Sequence, residues 1–142
     1  MAFTGNYSCN SLRSNMASGG INFSTDTFYM ALYTNAATLD QNTTEYTTDG
    51  EASGGDYSPG GLEVTATVAS APTSSGSIVY VNFSSPSWIG SITARGALIY
   101  KYDGSTNPAM LVLDFGSDKT STSTFTVTFP SANNTSAIVR IS

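Results

Sequence analysis

The chain has no histidine, one cysteine and five basic residues among its 142 positions. Histidine is the side chain that changes charge nearest neutral pH, so its absence removes the usual nucleophile–base and imidazole–metal constellations. Cys9 alone closes no internal disulfide and completes no multi-cysteine zinc site; it reads as a small buried hydrophobe. Arg13, Arg95, Lys101, Lys119 and Arg140 are scattered, and the net charge is −5. Nothing here clusters to neutralise phosphates, so no nucleic-acid partner is expected. No apolar run approaches a bilayer-spanning length, so no membrane partner is expected either. The opening MAFTGNYSCN carries neither a basic nor an apolar region and does not read as a signal peptide. Charged residues make up only 11% of the chain, which argues against disorder, because disorder normally accompanies high net charge.

What is present is Ser, Thr, Gly, Asn and Tyr laid over short runs of period 2. In TFYMALYT, Phe28, Met30 and Leu32 share one face, and Tyr29, Ala31 and Tyr33 the other. SIVYVNF (77–83) and AMLVLDF (109–115) alternate likewise. In STFTVTFP, Phe125, Val127 and Phe129 alternate with Thr124, Thr126 and Thr128, a half-buried strand with a threonine solvent face that Pro130 ends. Residues 62–68, 91–102 and 137–142 are further strands, and Gly96 inside the second suggests a bulge or a close backbone approach. Turn-forming clusters at 18–20, 53–61, 70–77, 102–108, 116–123 and 131–136 separate them. Helix is expected at 9–16 or 34–46 only, for one or two turns. Short strands with regular turn signals predict an all-β fold. The specific expectation is an antiparallel β-sandwich, jelly-roll-like, of about seven or eight strands in a single domain spanning 1–142, with an extended N-terminal arm at 1–9.

Carboxylates are the remaining candidates for catalysis. A glycosidase needs two of them facing a cleft. Most of the ten lie in turn segments, where Asp closes the turn, and Asp114 alone sits inside an apolar run. A structural role is the expectation, so no catalytic residue is assigned. The sets Asp49–Glu51–Asp56 and Asp103–Asn107 offer oxygen ligands but lack the register of a known calcium loop, so no metal and no cofactor are assigned. The aromatics say more. Eight tyrosines and one tryptophan suit contact surfaces, or stacking on sugars, because each is apolar with a polar tip. Phe3, Tyr7, Tyr46, Tyr57 and Trp88 are the interface candidates. The long non-strand stretch 35–61 and the arm are the expected contact regions, with the arm dispensable for folding.

The blocks MAFTGNYSCNS, DTFYMALYTNAATLD, ITARGALIY and LVLDFGSDK, in this order, cover most of the chain. In them the chain resembles small virion structural proteins of tailed bacteriophages, of the capsid decoration or cement kind. The resemblance implies a protein of the virion, made in the host cytoplasm; the leading reading sets it on the capsid exterior, and no enzymatic activity is expected, because histidine, a phosphate loop and a paired-carboxylate signature are all lacking. Its implied partners are the major capsid protein and further copies of itself, as a dimer or trimer. The alternative is a tail or fibre component, with a carbohydrate-binding role at the host surface.

Overall fold

In the computed structural model, which describes residues 3, 5–68, 79–129 and 139–141, the alternating runs become antiparallel strands. Chain order is β1 (Tyr7–Ser8), α1 (Asn10–Ser18), β2 (Phe28–Tyr33), β3 (Leu62–Val64), β4 (Ala66–Val68), β5 (Val79–Phe83), β6 (Ser87–Ile89), β7 (Thr93–Lys101), β8 (Ala109–Thr120), β9 (Thr124–Thr126) and β10 (Val139–Ile141). One sheet has the order β1-β8-β7-β2-β3, a second β10-β5-β4, and β6 pairs with β9. The fold is all-β and sandwich-like. Its strand order supports the antiparallel sandwich and does not extend to the finer jelly-roll assignment. The turn clusters at 70–77 and 131–136 lie outside the described residues.

The helix at α1 forms where the first of the two helical windows lies. Nine residues give about two and a half turns, more than the one or two expected. Leu12 is buried and Met16, one turn on, packs against the same core. Gly19 ends the helix in a left-handed conformation, φ 80°. The second window, 34–46, forms turns and bends instead of helix. Residues 62–68, read as one strand, divide at Thr65 into β3 and β4, which belong to different sheets.

The five-stranded sheet is buried on both faces, which explains why β2 and β7 read as almost continuous apolar runs. On one face Phe28, Met30, Leu32, Ala97, Ile99 and Leu111 pack with Val81, Phe83, Trp88, Phe125 and Val127 of the other strands and loops. On the other, Ala31, Tyr33, Leu98, Tyr100 and Val112 are covered by Phe3, Cys9, Ala37 and Leu39. Phe125, Val127 and Leu111 are buried as the alternation predicts, and Leu113, Phe115 and Phe129 lie partly buried against the same core.

β6–β9 and β7–β8 form one antiparallel ribbon. Ser87 faces Thr126, and the same register carries through Thr93 opposite Thr120. The ribbon bends between them, and Ser121 stitches the bend. Its buried hydroxyl donates to the Gly90 carbonyl (2.7 Å) and accepts from the Ile92 N–H (3.1 Å). Past Ala94 the register slips, and Arg95 lies opposite 115–118. Gly116, φ 85°, turns this bulge, with its N–H on the Asp114 carboxylate. Asp114 also pairs with Arg95, whose guanidinium lies 5.8 Å from the Phe3 ring centre. Phe3 itself rests on Gly96, where a Cβ would come within 2.5 Å of the ring. Both expectations at Gly96 hold: the register slips beside it, and the Leu113 carbonyl comes as close to the position of a Cβ as the Phe3 ring does, at 2.5 Å.

Candidate functional site

Two surfaces stand out, at opposite ends of the β7–β8 hairpin and on opposite faces of the large sheet. The first is a row of tyrosines. Tyr46 stacks on Tyr100 at 4.8 Å, Tyr100 lies 6.1 Å from Tyr29, and Tyr29 lies 4.8 Å from Tyr102. The register generates part of this row, since Tyr29 of β2 is directly opposite Tyr100 of β7. The inner members are committed to the protein. Tyr100 donates to the Gly60 carbonyl (2.7 Å) and Tyr46 to the Glu51 carboxylate (2.7 Å).

Glu51 is the hub that folds 34–61 down. It accepts from the Tyr46 and Tyr57 hydroxyls, at 2.7 and 2.5 Å, and from the Gly60 N–H at 2.7 Å. Tyr57 in turn accepts from the Leu32 N–H of β2 at 2.9 Å. Tyr33 donates to the Thr47 carbonyl at 2.6 Å. Burial, reinforced by the Glu51 carboxylate, pushes the hydroxyls of Tyr33, Tyr46, Tyr57 and Tyr100 well above the ordinary tyrosine value. They stay neutral donors across the whole neutral range. Cys9 is likewise held as a thiol: burial first, then the Asp40 carboxylate, raises it to about 12. A thiol so placed is a poor nucleophile.

The second surface is the outer edge of the ribbon. Ser121 N–H bonds to Ile92, Gly90 N–H to Ser123 and Val127 N–H to Pro86, all across the ribbon. By alternation, the N–H groups of Thr120, Thr122, Thr124 and Thr126 point outward. No strand pairs with that side among the described residues. Beside it runs a groove of about 430 Å³ floored by Phe115, Phe125 and Val127, with Lys119 and the threonines as its walls. Thr124, Thr126 and Thr128 are exposed, as the alternation predicts.

The five interface candidates fare differently. Tyr7 and Tyr46 are half-buried. Phe3 and Trp88 are 1% exposed and Tyr57 is 9% exposed, so these three form core and present no contact face in this chain. The correction has one cause: each has a non-local partner that sequence spacing does not reveal. For Phe3 it is Gly96, for Tyr57 it is Glu51 with Leu32, and for Trp88 the Tyr57 ring at 5.6 Å. The segment 35–61, expected as a contact region, is strapped onto the sheet through Ala37, Leu39, Ala52 and Tyr57. Sequence reasoning did not single out Tyr29 with Tyr102, or the threonine edge of the ribbon. The signal available was Tyr29 on the face of β2 opposite Phe28 and Met30.

The carboxylates are largely occupied by their own chain. Asp26 accepts from Asn22 N–H and lies 3.3 Å from Lys101. Asp40, Asp56, Asp103 and Asp114 accept backbone N–H bonds in turns and bulges. Among the described residues no group of three metal-ligating side chains comes together, and no helix is long and apolar enough to cross a membrane. No family model, no curated protein and no solved structure matches this chain.

Proposed function

We propose that this chain is a structural protein of a tailed-phage virion, a decoration protein that seats on the major capsid protein lattice from outside. The observation that carries the reading is the open edge of the ribbon at 118–128. A row of outward N–H and carbonyl groups beside an apolar groove is a template for an added strand. The partner strand supplies backbone bonds, and an apolar side chain on it fills the groove over Phe115 and Phe125. The sequence resemblance to virion proteins agrees with this use. Seating on a lattice multiplies a modest contact over many copies, and self-association into a dimer or trimer would add to it.

The test uses particles stripped of, or grown without, this protein. Purified wild-type chain should co-sediment with them at a fixed ratio to the major capsid protein. Thr124→Lys with Thr126→Lys, both on the exposed face, should leave the Trp88 emission unchanged and abolish co-sedimentation, because charged edges resist strand addition. Full occupancy by that variant would refute the edge as the attachment site. A copy number in purified virions far below that of the capsid subunits would place the chain in the tail or fibre instead.

A further inference from the structure

We propose that the end of the tyrosine row, Tyr102 backed by Tyr29, is a binding site for a neutral carbohydrate, one pyranose ring stacking on the exposed Tyr102 phenol. Tyr102 is 48% exposed, one of three large apolar side chains left open among the described residues. Its ring lies 4.8 Å from that of the half-buried Tyr29, tilted by 36°, so Tyr29 backs one side of the Tyr102 ring and the exposed part of that ring is left to solvent. Unlike Tyr46 and Tyr100, neither makes a hydrogen bond through its hydroxyl among the described residues. An exposed ring with two unused phenol hydroxyls beside it offers an apolar platform bordered by donors and acceptors. That combination fits a sugar, whose C–H face is apolar and whose rim is polar.

The surroundings choose among sugars. Glu63 of β3 stands directly opposite Tyr29 and is exposed, so its carboxylate borders the same face. Asp103 follows Tyr102, and bonds from Ser105 and Asn107 N–H hold its carboxyl below the usual range. The cation nearest in sequence, Lys101, is occupied by the Gly20 carbonyl (2.8 Å) and Asp26. A phosphate, sialic acid or uronic acid would meet negative charge without a counter-charge. A neutral hexose meets acceptors for its hydroxyls. The platform is also rigid. Tyr102 N–H is bonded to the Thr27 carbonyl at 2.8 Å, and the turn after it is closed by reciprocal Asp103 and Asn107 bonds. Little ordering remains to be done on binding.

The site is independent of the proposed attachment edge. From Ala94, near the groove, to Tyr100 the strand runs about 20 Å. A particle bound through the ribbon edge would therefore leave the tyrosine pair free, and many copies would turn a weak sugar contact into a firm one.

The experiment displays the full chain on beads and applies it to immobilised oligosaccharides. The neutral set contains glucose, galactose, mannose and N-acetylhexosamine units; the acidic set is sialylated or uronic. The expected result is retention on at least one neutral glycan and none on the acidic set. Tyr102→Ala should weaken that retention about tenfold or more, and Tyr102→Phe, which keeps the ring, should weaken it less. Ile89→Ala, exposed on the ribbon, should leave it unchanged. Trp88 emission certifies the fold of each variant. Retention on no neutral glycan, preference for acidic glycans, or indifference to both Tyr102→Ala and Tyr29→Ala would overturn the proposal. So would a wild-type dimer that Tyr102→Ala converts to monomer without any glycan binding, since the pair would then be a contact between copies.

Discussion

Raising the pH should unfold this protein in a single cooperative step, and the buried phenols set where. Tyr33, Tyr57 and Tyr100 are 0%, 9% and 2% exposed, and Cys9 is fully buried. All four are held protonated above their ordinary values, the thiol up to about 12. In the unfolded chain a phenol ionises near 10 and the thiol near 8.5–9, so above those values the folded state binds more protons than the unfolded one. Stability is unaffected by these groups at lower pH and falls as pH rises past the unfolded values. Each withheld proton costs about 1.4 kcal/mol per pH unit. By pH 11, one unit on three phenols and about two on the thiol come to about 7 kcal/mol. Tyr46, half-buried, adds less and is left out of that sum. A domain of this size has roughly 5–15 kcal/mol to lose, so the midpoint should fall at roughly pH 11–12. The assay follows tyrosinate absorbance, far-ultraviolet circular dichroism and Trp88 emission along one alkaline titration. The phenols should ionise together with the loss of structure. Gradual ionisation of all eight tyrosines near the ordinary value, with dichroism and Trp88 unchanged, would refute the network around Glu51.

Three further outcomes follow from the packing. Phe125→Ala should cost about 3–5 kcal/mol in urea unfolding and Thr126→Ala under about 1, because the first faces the core and the second solvent; equal costs would mean both faces are buried. Phe3→Ala should also cost about 3–5 kcal/mol, which makes the N-terminal segment part of the fold and not a dispensable arm; an unchanged urea midpoint would return it to that role. Ser121→Ala leaves the Ile92 N–H and Gly90 carbonyl without their partner at a buried bend, so thermal unfolding should report a loss of about 1–3 kcal/mol.

The strands were legible because alternation is a local signal. Phe28 to Tyr33, Val79 to Phe83 and Ala109 to Phe115 declare themselves within a few residues. The division of 62–68 was not legible. Both halves have strand character, and only the sheet geometry shows that Thr65 is where the chain crosses layers. β6 was missed because three residues after Pro86 carry too short a pattern. The candidate surfaces were harder still. Whether a tyrosine becomes core or surface depends on what lies over it. Tyr57 is buried because Glu51 and the Leu32 N–H take up its hydroxyl, and nothing in its own neighbourhood announces that. Tyr102, with the same side chain, stays half outside, its ring against that of Tyr29, and its own neighbourhood announces that no better.

The ribbon of β6, β7, β8 and β9 is a single stretch of chain, reversed at the turn 102–108, yet it belongs to both layers. Closing it requires only a short loop, whereas β2 must return from far upstream and β10 from the other end. Contacts of low sequence separation form first. The crossing of the two layers is thus a local property of residues 87–126, in place before the distant strands arrive. Substitutions along the ribbon, at Ser121 for example, should slow folding, while those at the late edges β1 and β3 should chiefly speed unfolding. The bend that shapes the groove is then also the step that sets how fast the protein assembles itself.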